Sequence, residues 1–179
     1  MRQAIPISKR PIDIVLVIFF LINLVLVSYL IDIEQLVIAD PAHFTYPLWP
    51  PRPVVDAVHW WGYSFDPLLI ARPVFFKVTI WLDNLFYAPF YAVAIYAFIK
   101  GKEWIRLPSL IWAVSMASGV IMILSEEAFG QYQTSHFALV ALANASWIVF
   151  PVIVLIRLGV SEHPFTVETA SAPNSKAKV

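Results

Sequence analysis

Apolar residues fill four separate stretches of the chain, and the polar positions within them are few. The first stretch, Ile12 to Ile31, reads IDIVLVIFFLINLVLVSYLI, with Asp13 at its mouth and Asn23 as its one strongly polar interior residue. The second runs from Val74 to Ile99 and contains Lys77, Asp83 and Asn84. The third runs from Leu107 to Ser125 and the fourth from His136 to Leu158. Each is close to the ~20 residues with which a helix crosses the hydrocarbon core. Barrel strands would be about half as long and alternate in polarity. The pattern predicts an all-α integral membrane protein, a four-helix bundle over residues 12–158. The first stretch reads as a retained helix rather than a cleaved leader. Its apolar run is too long, and Asp32, Ile33 and Glu34 stand where small residues would mark a cleavage site.

Composition agrees. Hydrophobic residues make up 60% of the chain and charged residues 13%, about half the ~25% of a soluble domain. The 12 basic and 12 acidic residues balance, so nothing attracts nucleic acid. The absence of cysteine excludes disulfides, thiolate metal sites and a cysteine nucleophile. Neither GxGxxG nor a Walker pattern occurs, and no cofactor or metal is expected. His136 reads as an interfacial residue, since no second histidine stands at ligand spacing.

Basic residues set the expected orientation. Arg2, Lys9, Arg10, Lys100, Lys102, Arg106, Arg157, Lys176 and Lys178 lie on one side against Arg52 and Arg72 on the other, nine to two. The positive-inside rule then places both termini in the cytosol, as an even number of crossings also requires. Residues 1–11 become a short cytosolic segment. Residues 159–179 become a cytosolic tail, small and polar after Glu162 and expected to be disordered. The loop 32–73 would lie on the lumenal side. Its seven prolines, four of them in PLWPPRP, argue against one regular helix, and Trp49, Trp60 and Trp61 suit a membrane interface.

Polar groups at membrane depth mark the candidate site. An unpaired carboxylate in hydrocarbon costs several kcal/mol, so it faces the bundle interior or a wet cavity. Asp83 lies ~14 Å along its helix from Val74, with Tyr87 one turn on along the same face and Pro89 nearby to kink the backbone. Asn144 lies ~12 Å from His136, followed by Trp147 and then Pro151. Asp32 closes the first helix on the lumenal side, and Glu126 with Glu127 closes the third, without an assignable role. One cavity open to that side would account for them all. Packing alone is the plainer reading of Asp83 and of the Asn144–Trp147 pair, through bonds to neighbouring helices.

Several segments together resemble the EXPERA family, the four-helix membrane fold shared by the sigma-2 receptor and the emopamil-binding protein, a sterol isomerase. They are LIDIEQ, SFDPLL, IWLDNLFYAPF, YAFIKGKEWIRLPSLIWAV and NASWIVFPVIVLIRL, covering roughly Pro11 to Leu158. The resemblance implies a pocket of Asp32, Asp66, Asp83, Tyr87, Asn144 and Trp147. In it Asp32 meets a ligand amine, Asp66 is the buried carboxylate partner of Asp32, Asp83 replaces a glutamate and Tyr87 a glutamine. Asn144 and Trp147 look like the isomerase motif, whereas the isomerase's histidine–glutamate pair on the first helix is absent. The expected function is binding of sterol-like or cationic amphiphilic ligands in lipid and sterol homeostasis, in the endoplasmic reticulum membrane. The resemblance also suggests a homodimer, which the long apolar face of the first helix allows without requiring. The alternative is an enzyme, an isomerase or cyclase protonating an alkene or epoxide, with Asp83, Asp32 and Trp147 as catalytic residues.

Overall fold

The computed structural model describes residues 2–168. A membrane helix α1 (Pro11–Val37) is followed by two shorter helices, α2 (Arg52–Ser64) and α3 (Pro67–Ala71), and by membrane helices α4 (Val74–Lys100), α5 (Glu103–Phe129) and α6 (Phe137–Gly159). The protein is thus a multi-pass, four-helix membrane bundle, as the hydropathy pattern predicts. Three of the four spans begin and end within a few residues of their expected limits, and α1 continues to Val37. Asp32 therefore lies inside the helix rather than closing it. The extra turn is held by burial, because Glu34 and Gln35 pack under the following segment instead of meeting solvent.

Helix α1 packs along α4, and α5 along α6. In the half nearest the termini, aromatic rings fill the space between these two pairs. Phe19 stacks on Phe150 with centroids 4.1 Å apart, Phe90 stacks on Trp112 at 5.4 Å, and Phe20 meets Phe98 and Trp112 edge-on. Such offset and T-shaped contacts suit the ring quadrupoles. The outer face of α1 leaves Ile12, Val15, Ile18 and Ile22 about half exposed, an apolar surface for lipid.

Two expectations change. The proline-rich connection contains a 13-residue helix, α2, that the sequence reading passed over. Pro53 stands in its first turn, where the missing N–H costs nothing, so the cluster that breaks the chain also starts the helix. The tail, expected to be disordered, folds back as far as Glu168. Strand β1 (Arg2–Ala4) pairs antiparallel with β2 (Thr166–Glu168), and Phe165 is fully buried against Phe98. Glu103 accepts hydrogen bonds from the Phe165 amide at 3.1 Å and the Thr166 hydroxyl at 2.6 Å. A buried ring and satisfied donors explain the order in a segment whose composition alone suggested none. Residues 169–179 lie outside the described residues.

Beside this ribbon, Asp13 is fully buried between two arginines. Arg10 reaches it at 2.6 Å and Arg157 at 3.2 Å. Arg10 also donates to the carbonyls of Phe98 at 2.7 Å and Ile5 at 3.0 Å. This cluster ties α1 to α4 and α6 at the termini side.

An acidic cavity in the far half of the bundle

Away from the termini the four helices do not fill the space between them. A cavity of about 1140 Å³ lies there, walled by α1, α4, α5 and α6 and roofed by α2 with Asp66 and Leu69. Its floor is set by two bonds between helices. The Trp147 indole donates to Asn23 Oδ1 at 2.6 Å, joining α6 to α1. Tyr87 and Ser115 share a hydroxyl–hydroxyl bond of 2.5 Å, joining α4 to α5. Apolar side chains including Leu30, Phe76, Ile80 and Ile123 make up most of the wall. Removing the indole partner leaves Asn23, itself only 2% exposed, with an unpaired acceptor. Trp147→Phe is therefore expected to cost about 1–3 kcal/mol, read as a lowered melting temperature in detergent; an unchanged melt would show that the bond does not support the floor.

The backbone shapes the acidic centre. In α1 the stretch Asn23–Asp32, and in α4 the stretch Asp83–Tyr87, form wide turns of the π type, the second ending just before Pro89. Such turns are frequent at functional sites because the wider winding re-aims side chains. Here they bring α1 and α4 together across the cavity: Ser28 donates to Asp83, Tyr91 donates to it at 3.2 Å, and Asp32 lies within hydrogen-bonding reach of it. Two carboxyl groups bond to each other only by sharing a proton, since two carboxylates are both acceptors.

Every residue of the expected site lines this one cavity: Asp32, Asp66, Asp83, Tyr87, Asn144 and Trp147. The pairing differs from expectation. Asp32 faces Asp83, not Asp66, and Asp66 faces Glu127 at the far end of α5. The reason is local. Asp66 caps α3, its Oδ1 accepting the Leu69 amide at 3.1 Å, which holds it in the roof above the α1–α4 contact. Burial pushes the Asp66 carboxyl above the usual carboxylate range, opposed by the Leu69 amide. Asn144 donates to Val140 of its own helix at 2.9 Å while still reaching the cavity wall.

Sequence reasoning left Glu127 without a role and did not separate it from Glu126. Glu127 is 1% exposed and lines the cavity, whereas Glu126 accepts the Tyr132 amide in the following loop. Nor did the sequence reading single out the clamp that seats the roof. Arg72, counted as a loop cation, is buried and holds both oxygens of buried Glu34, at 2.9 and 2.8 Å. His59 of α2 lies 2.8 Å from the same carboxylate. Arg72 also donates to Ile38 and Leu69 carbonyls at 2.6 and 3.0 Å. Its left-handed backbone, φ 46°, is uncommon for a residue with a Cβ. The one sequence signal was an arginine before proline in an otherwise uncharged run.

Comparison with known proteins places this architecture. Residues 53–158 match the profile described as EXPERA (EXPanded EBP superfamily). Sigma intracellular receptor 2 of Macaca fascicularis is 28% identical over 170 residues, covering 86% of this chain and 90% of that protein. The protein of the same name from Xenopus tropicalis is 26% identical over 152 residues, covering 78% and 84%. The Homo sapiens protein is 32% identical over 115 residues, covering 56% and 65%. With four apolar spans in the fold and more than half of the chain matched, the protein belongs to the EXPERA family.

Proposed function

We propose that this protein binds cationic amphiphilic or sterol-like ligands in its intramembrane cavity, as a receptor-like protein of lipid and sterol homeostasis in the endoplasmic reticulum. One observation carries the reading. The cavity is mostly apolar, yet among the described residues four carboxyl groups line it, from Asp32, Asp66, Asp83 and Glu127, and no basic side chain does. An apolar body suits the wall, and a protonated amine or a hydroxyl suits the acids, through charge-assisted hydrogen bonds. The receptor name carried by the relatives agrees with it. Cytosolic termini are part of the proposal. Of the two far-side arginines, Arg72 is neutralised by buried Glu34, which leaves Arg52 as the exposed one of the two. Tags at either terminus should be digested by protease added to sealed microsomes; protection of either one would overturn the topology.

The binding reading is tested with purified protein in nanodiscs, titrated with a tertiary-amine amphiphile and a radiolabelled sterol. Saturable binding of either class, with mutual displacement, is the expected result. No saturable binding of either would reject it.

A second reading is general-acid catalysis, a sterol double-bond isomerase or an epoxide-opening cyclase. The contact of Asp32 with Asp83 favours it, because a proton shared inside an apolar cavity is available to an alkene or epoxide. Trp147 in the cavity floor would stabilise the resulting cation. Incubation with Δ8-sterols and prenyl epoxides, followed by mass spectrometry, should then give product that Asp83→Asn abolishes. Product that persists undiminished in that variant would remove Asp83 from the chemistry.

A further inference from the structure

The carboxyl groups of the cavity stand at two levels, and that separation says more about the ligand than their number does. The Tyr87–Ser115 bond fixes the register of α4 against α5. Asp83 precedes Tyr87 by four residues, which sets it ~6 Å toward the far side. Glu127 follows Ser115 by twelve residues on a helix running the other way, which sets it ~18 Å toward the same side. The Asp32–Asp83 pair and the Asp66–Glu127 pair are therefore ~12 Å apart along the bundle axis, with uncharged and mostly apolar wall between them.

The upper pair is only partly supplied with donors, since Asp66 accepts the Leu69 amide and Glu127 is left short. Glu127 is buried, and among the described residues no hydrogen-bond donor reaches its Oε2; its polar neighbour there is the Asp66 carboxyl. Gln35, one turn beyond Asp32 toward the roof, is 5% exposed and lines the cavity, and its Oε1 also has no donor. Its amide nitrogen is turned to its own helix, to the Ile31 carbonyl at 3.4 Å. A buried acceptor without a donor costs free energy, and two of them facing one cavity point to donors supplied from within it. In the lower pair Ser28 and Tyr91 donate to Asp83, and no buried oxygen of Asp32 or Asp83 is left without a partner.

We propose that the cavity is built for a two-headed amphiphile, with a donor or cationic group at each end of a rigid or extended apolar body. One head meets Asp32 and Asp83, and the other meets Asp66 and Glu127. This rests on the binding reading above and specifies its ligand class. A ligand with one head leaves the upper acceptors without partners. A ligand whose heads are too close leaves one of them in apolar wall.

The test uses the full chain in nanodiscs and linear alkanediamines from hexane- to dodecanediamine, each beside the alkyl monoamine of equal chain length. The expected result is a diamine-to-monoamine affinity ratio of at least about tenfold, equivalent to about 1.4 kcal/mol, peaking at one intermediate length. Glu127→Gln should bring that ratio near one and flatten the length dependence. Asp32→Asn should weaken both classes. A ratio near one at every length in the natural sequence would overturn the proposal while leaving monoamine binding, and so the binding reading, intact. A ratio that survives in Glu127→Gln and in Asp66→Asn would also overturn it, since ordered water then completes the upper pair. Failure of every amine to bind would overturn this proposal and the amine part of the binding reading, while saturable sterol binding would still sustain the rest. Thermal melts of each variant separate loss of binding from loss of fold.

Discussion

Replacing Glu34 with glutamine is expected to destabilise the protein by about 3–5 kcal/mol, the usual cost of breaking a buried ion pair from one side. Glu34 is fully buried and Arg72 is 3% exposed. The substitution leaves the guanidinium with two carbonyl partners and no counter-charge. It also replaces the carboxylate that His59 of α2 faces with a neutral amide. The effect should spread beyond the pair, because Glu34 belongs to α1, His59 to α2, and Arg72 to the turn between α3 and α4. All three meet at the edge of the cavity roof. Denaturant titration in detergent, with tryptophan fluorescence as the signal, measures the loss. Trp60 and Trp61 stand on α2 against the cavity and report the roof directly. A double variant, Glu34→Gln with Arg72→Met, removes both charges and should recover much of the stability, since apolar replacement of a buried pair is often neutral or favourable. If the single variant melts like the natural sequence, the clamp does not hold the roof.

The second large effect concerns Asp32. Asp32→Asn keeps the shape of the side chain and removes its charge, so affinity for a cationic amphiphile should fall by at least about 1.5 kcal/mol, the low end for a hydrogen bond to a charged group. That is roughly a tenfold rise in Kd. Asparagine also replaces a shared carboxyl proton by an amide that donates to Asp83, so fold and floor should survive. Affinity for a neutral sterol should change less, because no full charge is lost from that complex. The two ligand classes measured side by side in one preparation separate electrostatics from damage to the cavity. Equal amine affinity in the variant and the natural sequence would mean that Asp32 does not meet the amine.

Much of this was legible along the chain. The runs of apolar residues give four spans because ~20 residues of one polarity have no other stable arrangement in hydrocarbon. Depth along a helix follows from residue counting at 1.5 Å per residue, so Asp83 and Asn144 could be placed in the far half of the bundle from sequence alone. Their costly polarity at that depth already argued for a shared cavity, and the structure brings them to one.

Partners were not legible, and the reason is geometric. Periodicity tells which residues share a face of one helix but not how one helix is rotated against another. The wide turns in α1 and α4 change that rotation within the span, so Asp32 meets Asp83. No spacing rule announces such a turn in Asn23–Asp32, which contains no proline. Asp66, three residues from the amide that it caps, was tied by local structure to the roof and hence to Glu127, 61 positions away in number but adjacent in space. Arg72 with Glu34, and Asp13 with Arg10 and Arg157, were hidden by the same limit. A charge near the end of an apolar run reads as a surface residue until the chain beyond it folds back and takes away the water. The sequence by itself determined the bundle, the depth of its polar groups and the acidic character of one half. Tertiary structure alone decided which acids face each other, which are neutralised by arginine, and which line the cavity, because those outcomes depend on contacts between segments that no local pattern encodes.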